Sequence, residues 1–137
     1  MSNLKSVVEA FYNQCLTVKE GVNPAEILEK LLADDFKSKN AGGEKPKQAL
    51  IAQIAMFWKI MPDMKWEIQE TIEQENQIVV RSLLSASPIG NFKGVECDGT
   101  KKFQTMAIDI HTIENGQIKQ VYHCEEWETA INQLQNK

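Results

Sequence analysis

Apolar residues recur at helical spacing through the first third of the chain and then switch to alternation. Leu4, Val7, Val8, Phe11, Tyr12, Cys15 and Leu16 form one stripe over three turns, which predicts a helix that Gly21 ends. Asn23-Pro24-Ala25-Glu26 combines an N-cap, a proline at the first helical position and an early acid. It opens a second helix that buries Ile27, Leu28, Leu31 and Leu32 and stops near Asp34-Asp35. Residues 36–40 read as a short strand and 41–43 as a loop. A third helix starts near Pro46, with Leu50, Ile51, Ile54, Phe57, Trp58 and Met61 on one side, and Pro62 terminates it. Beyond Asp63 the period becomes two, Met64, Trp66, Ile68 and Ile72 alternating with Lys65, Glu67, Gln69 and Thr71. Gln74-Glu75-Asn76 turns this strand into 78–86, apolar for long enough to be central in a sheet. Pro88, Gly90, Gly94 and Gly99 break the next stretch into an excursion between strands. Trp127, Ala130, Ile131 and Leu134 close the chain with a short helix. Three helices followed by a four-strand antiparallel meander is an α+β order in one domain over 1–137. The implied shape is a strongly curved antiparallel sheet wrapped around the N-terminal helices, with a cone-shaped cavity between them.

The chain is organised around 102–127, a long hairpin about Asn115-Gly116. Successive strand residues face opposite sides. One parity carries Met106, Ile108 and Ile110 with Ile118, Tyr122 and Cys124; the other carries Thr105, Ala107, Asp109 and His111 with Val121, His123 and Glu125. The turn decides how these sets meet, because a one-residue slip flips every side chain. A two-residue primed turn sets Asp109 opposite Tyr122 and parts Asp109 from His123. A three-residue loop with a bulge sets Ala107 opposite His123 and Asp109 opposite Val121. The bulged register sorts the apolar groups better and is the expected one.

Ionisable side chains are almost never fully buried unless paired, so the mixed face holds the candidate chemistry. His123 and Glu125 lie two apart on one strand, about 7 Å between Cα atoms. In the bulged register Asp109 is a diagonal neighbour of His123 at a similar distance. A histidine oriented and charged by a nearby carboxylate is the minimum kit for general acid–base catalysis. The bland alternative makes Asp109 a strand aspartate held by backbone donors, with His123 and Glu125 at a rim. His111 is expected near the open end of the hairpin, solvated. Phe11, Trp58 and Trp66, with Ala107 and Val121 from the hairpin, are expected to line an apolar pocket. Arg81 is expected to pair structurally with a carboxylate.

Composition narrows the classes further. The 137 residues are 42% hydrophobic and 25% charged, with a net charge of −4. That balance lacks the basic face a nucleic acid requires. No apolar run approaches the roughly 18 residues of a membrane span. Cys15, Cys97 and Cys124 are an odd, scattered set, unlike a disulfide framework, which points to a reducing cytoplasm. His111, His123 and Cys124 show no recognised ligand spacing, so no metal and no cofactor is expected. The apolar outer face of the hairpin predicts a homodimer through that face.

Three runs carry a resemblance: MPDMKWEIQETIEQENQIVVR at 61–81, IGNFKGVECDGTKKF at 89–103 and IDIHTIENGQIKQVYHCEEW at 108–127. Together they resemble the SnoaL-like polyketide cyclase family, of the nuclear transport factor 2-like superfamily of cone folds. The resemblance implies that fold, a small apolar or polyketide-like ligand, and the bulged register. In characterised cyclases an aspartate on the last strand is the acid–base of an intramolecular aldol closure, assisted by a histidine two residues earlier. Here His123 stands in the aspartate's place and Val121 in the histidine's, while the preceding strand offers Ala107 and Asp109. The expected function is therefore a cofactor-free cyclase, isomerase or dehydratase. In it His123 is the proton shuttle, Asp109 its partner and Glu125 a modulator. The alternative is a non-catalytic small-ligand-binding or dimerisation module of the same fold.

Overall fold

The computed structural model describes residues 3–136. Four α-helices, α1 (Leu4–Ala10), α2 (Pro24–Leu31), α3 (Lys47–Ile60) and α4 (Trp127–Gln135), pack with eight strands. The strands are β1 (Leu32–Asn40), β2 (Gly43–Pro46), β3 (Lys65–Gln74), β4 (Gln77–Ala86), β5 (Ile89–Phe92), β6 (Val95–Asp98), β7 (Phe103–Glu114) and β8 (Gln117–Glu125). The main sheet has the order β2-β1-β8-β7-β4-β3, and β5-β6 form a separate hairpin. The expected meander is its β3-β4 and β7-β8 part. The sheet as a whole is mixed rather than antiparallel, because β1 runs parallel to β8. Only Leu32, Phe36 and Ser38 of β1 are buried, too sparse an apolar signal to announce a nine-residue strand. The excursion at 88–99 is the β5-β6 hairpin.

The first stripe does not fold as one helix. After Ala10 the chain widens into a π-helical turn over Phe11–Cys15, which closes with Leu16 N–H donating to the Phe11 carbonyl at 3.0 Å. The helical run is over by Leu16, so Gly21 (φ 80°) shapes the following turn instead of ending the helix. Phe11, Tyr12, Cys15 and Leu16 are all buried. A π turn is a frequent device at functional sites, and here it delivers Tyr12 to the mixed face of the hairpin.

The hairpin takes neither of the two anticipated registers. Asn115 (φ 55°) and Gly116 (φ 76°) are both left-handed, as a primed two-residue turn requires, and Glu114 pairs with Gln117. The ladder then shifts between Thr112 and Ile113, with Lys119 as the extra residue. Beyond that bulge His111 faces Val121, Asp109 faces His123 and Ala107 faces Glu125. The bulge lies inside the strand rather than in the loop. It restores the expected parity but moves each pairing by two residues. It also turns Ile118 inward, fully buried, so Ile118 leaves the outer face assigned to it above.

The buried apolar side chains form one continuous cluster from Leu4 to Leu134. Phe92 and Phe103 stack at 5.7 Å, and the Trp127 ring sits 5.9 and 6.2 Å from them. Such pairs contribute about 0.5–1.5 kcal/mol beyond their area. They fasten the β5-β6 hairpin and α4 to the start of β7.

Candidate active site

The mixed face of the hairpin turns inward. Thr105, Ala107, Asp109 and His111 are buried, whereas Ile108 and Ile110 face out. A cavity of about 460 Å³ lies against it, within the usual range for small-molecule sites. Asp109, His123 and Glu125 all line it, as do Phe11, Trp66 and Val121. Two expected liners do not. Trp58 instead donates its indole N–H to the Cys15 carbonyl at 2.8 Å, bracing the end of the π turn. Ala107 is enclosed between Ser82 and Glu125 on the neighbouring strands, away from the cavity wall. Arg81 pairs with Glu70 at 2.6 Å on the exposed surface. The Cys124 side chain is exposed.

His111 is not solvated. It is fully buried, and its Nε2 lies 2.9 Å from the Tyr12 hydroxyl. That hydroxyl in turn donates to Asp109 Oδ2. One phenolic proton cannot serve two acceptors, so His111 carries its proton on Nε2 and donates to Tyr12. A chain of hydrogen bonds thus runs from His111 through Tyr12 to Asp109. Two buried atoms at its ends, His111 Nδ1 and Asp109 Oδ1, make no well-formed hydrogen bond among the described residues, although the Cys124 backbone N–H is close enough to favour the Asp109 anion. Burial lowers the His111 pKa to about 3 and keeps the ring neutral. Burial, then the Asp109 charge, holds the Tyr12 hydroxyl well above its ordinary value.

Asp109 is only 3% exposed. Burial raises its pKa to about 7; the Tyr12 hydrogen bond opposes the rise, the Glu125 charge adds to it and His123 opposes it. Because Oδ2 accepts from Tyr12, the titrating proton belongs on Oδ1. Across the ladder, His123 Nδ1 lies 2.9 Å from Glu125 Oε2. That hydrogen bond raises the His123 pKa against partial burial. Near neutral pH the site therefore holds a carboxyl poised to gain or lose a proton, beside a histidine whose protonation the Glu125 carboxylate favours.

Tyr12 was hidden in the apolar stripe, although a buried phenol always raises the question of its partner. Ser38 reaches the wall because parallel pairing sets β1 beside Val121. Lys45, Gln53, Lys93 and Trp127 also line the cavity, and only the fold brings these distant positions together. No group of three or more His, Cys, Asp or Glu side chains among the described residues is arranged to hold a metal ion.

The sequence profile of the SnoaL-like polyketide cyclase family matches residues 6–134. Solved structures agree at low identity. IdmH, a candidate polyketide cyclase from Streptomyces antibioticus, is 16% identical over 97% of this chain and 99% of its own, with a TM-score of 0.83. A candidate SnoaL-like polyketide cyclase from Jannaschia sp. CCS1 is 14% identical over 98% and 92%, with a TM-score of 0.84. AclR, a candidate hydroxylase from Streptomyces galilaeus, is 16% identical over 96% and 94%, with a TM-score of 0.77. No curated protein sequence matches significantly. The solved structures carry the cone fold, and their differing descriptions carry no single reaction.

Proposed function

This chain belongs to the SnoaL-like polyketide cyclase family, and on that premise we propose that its cavity closes a ring in a polyketide-like carbonyl compound without a cofactor. The family and fold support a cyclase-type function at the coarse level. The finer reading is carried by one observation: a carboxyl only 3% exposed lies on the wall of the cavity across the ladder from His123, where burial raises its pKa to about 7. Asp109 takes a proton from the carbon between two carbonyls. The resulting enolate carbon bonds to a second carbonyl carbon of the same molecule, and the new alkoxide takes a proton from His123. Asp109 then returns its proton to the imidazole. Tyr12 holds Oδ2 so that Oδ1 does the work, and Glu125 keeps His123 charged. The residue expected to be the shuttle thus becomes the electrophilic partner. The carboxyl that family resemblance seeks at position 123 is supplied from directly across the ladder.

The test is turnover of a β-dicarbonyl or polyketide-like probe by wild type and His123→Ala. The variant is expected to be slower by about tenfold or more; unchanged turnover would end the assignment. His123 followed by NMR should titrate above the ordinary histidine value, and this elevation should vanish in Glu125→Gln.

A homodimer through the outer sheet face belongs to the same proposal. Ile108 (41% exposed), Ile110 (38%) and Tyr122 (48%) form an apolar patch there. A second copy, related by a two-fold axis, is the commonest cover for such a patch. Ile108→Lys is expected to convert a dimer to a monomer in sedimentation; wild type running only as monomer at micromolar concentration would contradict it. The three cysteines are free, which fits a reducing cytoplasmic setting. Among the described residues no helix is long and apolar enough to cross a membrane.

A further inference from the structure

Two lysines on the cavity wall have no role in the proposed proton transfers. Lys45, at the strand β2 that leads into α3, donates its ammonium to the neutral Gln53 side-chain oxygen at 2.8 Å. Lys93, at the turn of the β5-β6 hairpin, holds its ammonium 4.7 Å from the centre of the Trp127 ring. Neither ammonium lies within 4 Å of a carboxylate among the described residues, although the chain as a whole is acidic. The acids on the same wall are already occupied: Glu125 pairs with His123, and Asp109 is partly protonated near neutrality. The wall therefore carries two ammonium groups that no carboxylate among the described residues touches. Lys45 is also near enough to His123 for its charge to oppose protonation of that ring.

We propose that the substrate is an amphipathic carboxylate, whose apolar body fills the cavity and whose anionic end is held by Lys45 and Lys93. This specifies the substrate class of the site proposed above and rests on that reading for its chemistry, but not for its binding. A lysine ammonium is a compact donor to a carboxylate, and charge-assisted hydrogen bonds are roughly twice as strong as neutral ones. Trp127 stacks under Lys93 and lines the cavity as well, so the same ring that steadies the cation offers apolar surface to the ligand. Substrate held by its acid end beside Lys45 lies next to His123. The reacting carbonyls then extend from that end toward Asp109.

The experiment is fluorescence titration of the full chain with pyrenebutyrate, its methyl ester and pyrenebutyl phosphate. Wild type is expected to bind the acid about tenfold or more tightly than the ester, with a preference that fades as salt is raised. Lys93→Glu, at an exposed position that spares the fold, and Lys45→Met are each expected to cut acid binding several-fold and leave the ester unchanged. Equal binding of acid and ester by wild type, binding of neither, or a preference that survives both substitutions would overturn the inference. Phosphate bound tightly in place of carboxylate would overturn the carboxylate assignment as well. The titration is repeated with Asp109→Asn, in which the proposed chemistry is removed. Acid preference in that variant, together with wild-type protein inactive on every carbonyl probe, would uphold this inference while removing the catalytic reading.

Discussion

Asp109→Asn is expected to slow ring closure by orders of magnitude and yet give a more stable protein at pH 8. The carboxyl has a pKa of about 7 in the folded chain against an ordinary 3.8. Between those values the folded state binds a proton that the unfolded state does not, so this residue's contribution to stability falls as pH rises from about 4 to 7. Above pH 7 the folded chain must hold a buried anion, at a cost of about 4 kcal/mol from the two pKa values. Asparagine is shaped like the protonated acid and still accepts the Tyr12 hydroxyl, without ever carrying the charge. Urea unfolding should show the variant about 2–4 kcal/mol more stable than wild type at pH 8, with the advantage shrinking by about 2–3 kcal/mol at pH 5. Turnover should fall by about 10²–10⁴, the usual contribution of a positioned acid–base. A group kept at a stability cost, whose removal costs activity, is the signature of a site shaped for function. Equal stability at both pH values would show that the carboxyl is not perturbed, and the mechanism would lose its base.

Tyr12→Phe has the opposite sign. Loss of one hydroxyl strips a partner from Asp109 Oδ2 and from the His111 Nε2–H together, in a region where all three side chains are buried. Each orphaned buried group costs about 1–3 kcal/mol, so a loss of about 2–4 kcal/mol is expected in thermal or urea unfolding at pH 7. A merely structural hydroxyl would stop there. The Tyr12 hydrogen bond also favours the ionised Asp109. Its removal should move the carboxyl pKa above 7 and shift the rising limb of the pH–rate profile to higher pH. That limb staying in place while stability falls would make Tyr12 a core residue and nothing more. Acid unfolding is a further check on His111. Its folded pKa of about 3 lies below the ordinary 6.5. It therefore contributes stability that is complete above about pH 6.5 and is lost as pH falls toward 3. Between about pH 4 and 6.5 this loss runs against the gain from Asp109, so wild type should be nearly flat there, whereas Asp109→Asn should slope downward on acidification.

The hairpin shows where local reading stops. Asn115-Gly116 announced a primed turn, and both residues adopt the left-handed conformation that such a turn needs. Sorting of apolar groups argued for a bulge, and there is one. Nothing local says that turn and bulge occur together, with Lys119 three residues beyond Gly116, because the shift shows only in how β8 pairs with β7 along the rest of the ladder. His111 departs from its expected solvated place for a related reason. Its polarity argued for solvent, but its partner is a tyrosine 99 positions away in sequence. Trp58 and Trp66 are alike as residues; one braces the π turn and the other faces the cavity, and only the packing of α3 and β3 separates them.

By itself the amino-acid order determined the α+β class, most of the helices and strands, the shared face of Asp109 with His111 and of His123 with Glu125, and the family resemblance. These follow from spacing along one strand or helix, where distance in sequence is distance in space. The tertiary structure alone decided which inward groups touch, which nitrogen of His111 bears its proton, and that two lysines reach the same hollow. Those depend on close approach of segments far apart in the chain, and hydrogen bonds and pKa values change within an ångström or two while hydrophobic periodicity does not.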